Sequence, residues 1–497
     1  MLTVVRPYHK ILLLFVAFIA LRLFFIFTFP PFTDESLYIR WGQLMMNNPA
    51  LRWASLPYVD RQPLAFWLFG IGAIVLRNPL LGARLMVLLV NIPTFFLMRS
   101  ITKRLYSDKA SFLALAVLAC SPLFIMTQTT ALMEGLLFPL SVLLLWIFSD
   151  VGKSMTWLKV SAIGILLAIG LWIKTTGLLL VLSSTIVGFR NGKNEKLSVV
   201  SMFLKILLVV LLILLLILPL ISQPDFRDIF REPGLFAMST SDLLHFPILI
   251  WISHTVSVGA SLGLFLNPVV VLCGIAALCI FRKRMDTLLL WWLGVPIISM
   301  IILSKYPANR YIVIGTCALP PLLGDTLAQW TNNIKRNVWV MMLYIFIALY
   351  ALFFVTNTVS FFRLLPNFVQ EQEYALSWPS GYGIPELTRW IDAQIKPNRT
   401  LFLAVADSPG NPSDYFLAYY YFNPDVRITF ATLTNATEFQ RIQPIADKIP
   451  LFLVTRSTLL TPAVSRYLEP VKLFPKPYSQ ETVGIYRVIF SQTSGSL

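Results

Sequence analysis

Two carboxylates stand side by side in the stretch Phe32-Thr33-Asp34-Glu35-Ser36-Leu37-Tyr38, directly after the first long apolar run of the chain. Charge is expensive near hydrocarbon, so an acidic pair at the mouth of such a run marks a candidate site. A carboxylate there can take a proton from a hydroxyl. A third acid, Glu134, lies in Gln128-Thr129-Thr130-Ala131-Leu132-Met133-Glu134-Gly135, between two apolar runs. Cations occur in comparable positions: Arg61 in Arg61-Gln62-Pro63, Lys174 in Trp172-Ile173-Lys174-Thr175-Thr176, and Lys305 and Arg310 in Lys305-Tyr306-Pro307-Ala308-Asn309-Arg310-Tyr311. Lys and Arg suit phosphate oxygens, Arg bidentately. Each group also has a plainer use. The acids would stabilise the first turn of a helix, and Lys174 would snorkel to a headgroup region.

Other chemistries lack their residues. His9, His245 and His254 are scattered, with no metal-ligand spacing. No Gly-rich phosphate loop appears, which argues against a nucleotide as the working ligand. The four cysteines (Cys120, Cys273, Cys279, Cys317) lie in apolar segments and read as small buried hydrophobes.

The elements that must position these groups are membrane helices. Of the 497 residues 57% are hydrophobic and only 13% charged, against about 45–50% and roughly 25% in soluble domains. With a mean hydropathy of +0.73, the chain reads as a polytopic α-helical membrane protein. About eleven runs approach the roughly 20 residues needed to cross a bilayer: 11–29, 80–98, 111–128, 132–149, 156–172, 176–189, 197–221, 263–281, 287–304, 311–328 and 338–357. The first is followed by Pro30-Pro31 rather than small residues of a cleavage site, and reads as a retained span. Two shorter runs, 62–76 and 246–260, read as interfacial or re-entrant.

The net charge of +16 sits in short connections, such as Arg99, Lys103, Arg104 and Lys109. This is a topology signal rather than a nucleic-acid surface. It places the N-terminus in the cytoplasm and Asp34, Glu134, Lys174 and Arg310 together on the outer face of a plasma membrane. From about Gln370 the composition changes. Segments 400–405, 426–430, 450–455 and 483–490 read as strands, and 414–421 and 439–448 as helices between them. The chain thus divides into a membrane part, 1–360, and a small extracytoplasmic α/β domain, 361–497.

In order and sidedness these pieces resemble the GT-C superfamily of integral-membrane glycosyltransferases, in the branch of protein O-mannosyltransferases and lipid A aminoarabinose transferases. The resemblance is carried over about residues 10–330 by Asp34-Glu35-Ser36-Leu37-Tyr38, Arg61-Gln62-Pro63-Leu64-Ala65-Phe66-Trp67, Gly82-Ala83-Arg84-Leu85, Glu134, Gly170-Leu171-Trp172-Ile173-Lys174-Thr175-Thr176-Gly177, and Asn309-Arg310-Tyr311 leading to Leu319-Pro320-Pro321. It implies a sugar donor on a polyprenyl phosphate, a glycan, lipid or protein acceptor, and Asp34 as the catalytic carboxylate. Glu134 would assist catalysis. Glu35, Tyr38, Arg61, Gln62, Lys174, Lys305, Arg310 and Tyr311 would form the substrate-binding set. Some members of the group bind a divalent metal through such acids. Glu134 replaces the usual Asp, and Gln62 replaces the Lys found before the proline in aminoarabinose transferases. An aminoarabinose donor is therefore not implied. Rival readings are a transporter or flippase for a lipid-linked sugar and a non-catalytic member of the superfamily. A transporter would place its charges near the midplane in repeated halves. Here the charges lie toward one surface and no repeat is evident.

Overall fold

The computed structural model describes residues 7–53, 62–150, 155–194, 198–223, 226, 237–281, 286–333, 337–369, 372–396, 399–408 and 410–490. Its first part is built of helices whose breaks fall at prolines and polar turns. The 22-residue α1 (Pro7–Thr28) stops before Pro30-Pro31, and α2 (Thr33–Asn47) then begins with Asp34 and Glu35 in its first turn. Helix α3 (Pro63–Val75) has 13 residues, too short to cross, as its sequence indicates. Next come α4 (Pro79–Leu105), α5 (Asp108–Cys120), α6 (Pro122–Thr127), α7 (Glu134–Phe148), α8 (Trp157–Ile173), α9 (Leu178–Asn194) and α10 (Val199–Ile221). After the short α11 (Thr240–Leu244) follow α12 (Ile248–Phe265), α13 (Pro268–Phe281), α14 (Thr287–Leu303), α15 (Asn309–Thr316), α16 (Leu319–Asn333), α17 (Asn337–Thr356) and α18 (Thr358–Arg363).

By length and composition, four described helices can cross a membrane: α1 over His9–Thr28, α4, α10 and α12. The pair α15 and α16, bent by 54°, would make a fifth, and six apolar helices are shorter. Three expected runs take a different form. The run 246–260 belongs to a longer helix, the 18-residue α12, which has crossing length. The run 263–281 is cut at Asn267-Pro268, because proline cannot donate to the preceding turn, which leaves the 14-residue α13. Pro122 likewise splits 111–128 into α5 and α6. Cys120 and Cys317 are buried as expected, whereas Cys273 is half-buried and Cys279 is exposed on α13.

Helices α2 and α3 meet backbone to backbone. A Cβ on Gly42 would lie 2.4 Å from the Phe66 carbonyl oxygen, and one on Gly70 would lie 2.5 Å from that of Gly42. Small residues allow this approach where lipid supplies no hydrophobic drive.

The C-terminal part holds α19 (Glu373–Leu376), α20 (Ile384–Gln394), β1 (Leu401–Ala406), α21 (Ser413–Tyr420), β2 (Val426–Ala431), β3 (Leu451–Arg456), β4 (Leu468–Pro475) and β5 (Thr482–Val488). The sheet order is β2-β1-β3-β5-β4, with β1 to β3 parallel and β5 antiparallel to both neighbours. One face packs on α20 and α21 through Leu403, Val405, Leu387, Ile391 and Phe416. The other packs Ala404 and Leu453 on Phe439, Ile442 and Val464. The expected helix 439–448 is three short turns instead, interrupted around Pro444. The segment before the sheet, with Phe361, Phe362, Leu365, Tyr374 and Ala375, packs into the helical core rather than onto the sheet.

Candidate active site

The first turn of α2 sends its two carboxylates in different directions. Glu35 is fully buried and turned into the helices. Its carboxylate accepts from Arg84 Nε at 2.8 Å and Nη2 at 2.6 Å, and from the backbone N–H groups of Phe32 (3.0 Å) and Ala131 (2.8 Å). The same guanidinium donates to the carbonyls of Ile26, Phe29 and Pro30. Glu35 and Arg84 therefore join the end of α1, the start of α2, α4 and the turn before α7. Every lone pair of this buried charge faces a donor, as such a pair requires. Tyr38, one turn on and 1% exposed, stacks on Phe69 and meets Phe66 edge-on. Glu35 and Tyr38 are thus buried among the helices, apart from the row described next.

Asp34, one residue earlier, points the other way. Its Oδ2 is 2.7 Å from Arg310 Nη1, and the two side chains remain 21% and 18% exposed. Arg310 Nη2 donates to the Tyr311 hydroxyl at 2.9 Å. The Tyr311 ring lies 4.7 Å from Lys174 Nζ, and Lys174 Nζ is 2.6 Å from Glu134 Oε1. Asp34, Arg310, Tyr311, Lys174 and Glu134 thus form one continuous row of two acid–cation pairs bridged by a phenol. They come from the starts of α2, α7 and α15 and from the residue just past α8, all at helix termini. Lys174 reaches the row because it leaves helical geometry (φ −164°, ψ 151°), which turns its side chain off the α8 surface.

Beside the row, a cavity of about 30 Å³ is lined by Glu134, Arg310, Thr130, Phe265 and Tyr374. A water needs about 10–15 Å³ of such space, so this cavity admits water. Glu373, next to Tyr374, is held above the usual carboxylate range by burial and by Asp34, against the opposing pull of Arg310. Glu373 and Tyr374 carried no local signal in the sequence. They reach the row only because the chain returns from the last membrane helix. Gln62 caps α3 at 1% exposure, and its Oε1 has no hydrogen-bond partner among the described residues. Lys305 is exposed, and Asp242 lies in its field. Arg61 lies outside the described residues.

Among the described residues no three His, Cys, Asp or Glu side chains converge as metal ligands. Asp34 and Glu134 each face a cation, so this donor set does not fit a divalent metal, and no step below runs through one.

A helical body with a polar row at its helix ends and an α/β domain beside it is an ArnT-like fold. The crystal structure of ArnT from Cupriavidus metallidurans in the apo state matches 95% of this chain and 97% of its own, with a TM-score of 0.55 and 14% identity. The same protein bound to undecaprenyl phosphate matches over the same shares, with a TM-score of 0.51 and 14% identity. No curated protein matches in sequence. Residues 60–223 match the family of dolichyl-phosphate-mannose-protein mannosyltransferases.

Proposed function

We propose that this protein transfers a single sugar from a polyprenyl-phosphate donor to an acceptor hydroxyl on the extracytoplasmic side of the membrane, with inversion at the anomeric carbon. The observation that carries this reading is the row Asp34–Arg310–Tyr311–Lys174–Glu134. The family match of residues 60–223 supports the donor class. So does the undecaprenyl phosphate bound by a protein of the same fold.

The donor is a phosphodiester with one negative charge. As the bond between the anomeric carbon and the phosphate oxygen breaks, the electron pair goes to that oxygen and the leaving group gains a second charge. Arg310 and Lys174 are suited to hold it, and cations aimed at developing charge lower a barrier more than cations on a ground state. The acceptor oxygen attacks from the opposite face and gives its proton to Asp34. In the resting arrangement Asp34 is tied to Arg310. Phosphate drawing Arg310 to itself would release Asp34 when a donor is present. Glu134 keeps Lys174 extended toward Tyr311.

The test is transfer in proteoliposomes from a panel of radiolabelled polyprenyl-phosphate monosaccharides to a membrane and cell-wall extract. Asp34→Asn is expected to lose about 10²–10⁴-fold in transfer, the usual worth of a positioned base. Transfer by Asp34→Asn at the native rate would remove Asp34 from the mechanism. A product with retained anomeric configuration would exclude single displacement. Donor binding without transfer in every pairing would favour a transporter.

A further inference from the structure

The outer domain meets the helical body at one residue of the proposed mechanism. The two neighbours of Asp34 that do not serve Glu35's buried network, Thr33 and Ser36, are both held by Asn411, some 375 residues later in the chain. Ser36 Oγ donates to Asn411 Oδ1 at 3.0 Å, and the Asn411 backbone N–H donates to Thr33 Oγ1 at 3.3 Å. Asn411 Nδ2 donates to the carbonyls of Pro31 (3.1 Å) and Pro379 (3.3 Å). Thr33 closes the circuit through its N–H and hydroxyl, each 3.0 Å from the Pro379 carbonyl. Asn411 is 2% exposed and Ser36 fully buried. Three residues further, Asp414 accepts from Arg40 on the next turn of α2 at 2.9 Å and from the Gly410 N–H at 2.7 Å.

Asn411 and Asp414 follow β1, beyond the carboxyl end of a strand that stands between two parallel neighbours. In open α/β sheets this is the end that carries ligand-binding groups. Here it is applied to the first turn of α2.

We propose that Asn411 is a positioning residue for Asp34: the outer domain sets the direction of the catalytic carboxylate by clamping the residues on either side of it. With Glu35 fixed from the membrane side and Thr33 and Ser36 fixed from the outer side, the backbone of this turn has no freedom to carry Asp34 off Arg310. The inference rests on Asp34 as base.

The test uses the full chain in nanodiscs and two measurements. One is turnover with the donor selected by the panel above. The other is binding of undecaprenyl phosphate alone. Asp34 and phosphate compete for Arg310, so loosening Asp34 has a signature that general damage lacks. Asn411→Ala is expected to lower kcat about 10–100-fold, the scale of a 1 Å misplacement. It is also expected to bind undecaprenyl phosphate several-fold more tightly, as Asp34→Asn should. Ser36→Ala, a milder cut in the same bond, should move both quantities the same way, and the double variant should be less than additive. Asn411→Gln, which keeps the amide, should recover part of the turnover. Native turnover and affinity in both Asn411→Ala and Ser36→Ala, with Asp34→Asn inactive, would overturn the positioning role and leave the base in place. Weakened binding together with lost turnover would mark a merely structural contact and overturn it as well. Full transfer by Asp34→Asn would remove the base, and the positioning role with it.

Discussion

Asp34 and Glu35 are adjacent acids that the sequence cannot tell apart, and they end in unlike surroundings. Successive residues on a helix point about 100° apart, so one of the two must turn from the site. Arg84 on α4 decides which, by taking Glu35 into a network with no exposed atom. The chemistry-bearing charges Asp34, Glu134, Lys174 and Arg310 were legible because charge is rare in an apolar chain. Their pairing was not, since Arg310 lies 276 residues from Asp34. The buried pair gives the prediction proper to this scale. Arg84→Met leaves Glu35 as an unpaired charge in the interior and should cost about 3–5 kcal/mol of stability. Chemical unfolding in detergent measures it. Adding Glu35→Gln should restore part of that loss, because the stranded charge is gone while the acceptor for the Ala131 N–H remains. A single Arg84→Met variant as stable as the native chain would show that Glu35 finds another donor.

Elements were read well where hydrophobic runs are uninterrupted and poorly where a proline or a polar face intervenes. The strands β1, β2, β3 and β5 fall within a residue or two of expectation, because β1 and β3 are apolar runs and β2 alternates apolar with polar residues. Strand β4 went unseen. It is an edge strand carrying Pro470 and ending at Pro475, and nearly all of it is exposed, so no alternation marks it. Beyond its ladder to β5, the end of β4 is tied by side chains around Glu481. Lys476 Nζ sits 2.8 Å from Glu481 Oε2, Thr458 donates to Glu481 Oε1 at 2.5 Å, and Arg456 lies 3.7 Å from the same oxygen. Burial would raise the Glu481 carboxyl, but Lys476, Thr458 and Arg456 together hold it below the usual carboxylate range. A depressed acid binds protons more readily in the unfolded chain. Its stabilisation is therefore complete above the ordinary glutamate range, about pH 4.3, and is lost as pH falls through the lower folded value. Thermal unfolding of the outer domain should drop between pH 6 and pH 3. Glu481→Gln should flatten that drop while being less stable at pH 7. An unchanged acid limb in Glu481→Gln would assign the pH dependence elsewhere.

On the scale of the whole molecule, the row of Asp34, Arg310, Tyr311, Lys174 and Glu134 belongs to the helices and is bordered by contacts between parts distant in sequence. The connection into the outer domain passes so close to the start of α2 that a Cβ on Gly381 would lie 2.0 Å from the Pro31 carbonyl oxygen. Phe32 bridges to Ser380, and the Phe32 and Tyr374 rings are 4.3 Å apart. The sequence marks a change of material near Gln370. It says nothing of this contact, because a glycine's value lies in what another segment brings against it. If the docking of the two parts sets Asp34, forcing them apart should act on the reaction before it acts on the fold. Gly381→Ala must displace Pro31 or the connection by about 1 Å, a shift that costs on the order of 10²-fold in rate when it reaches a reacting group. Turnover should fall by that order in proteoliposomes, while the sheet keeps its own unfolding midpoint, since Gly381 lies outside both of its hydrophobic cores. Equal loss of turnover and of sheet stability would make Gly381 a folding residue. Native turnover would mean that α2 holds Asp34 in place through Glu35 and Arg84 alone.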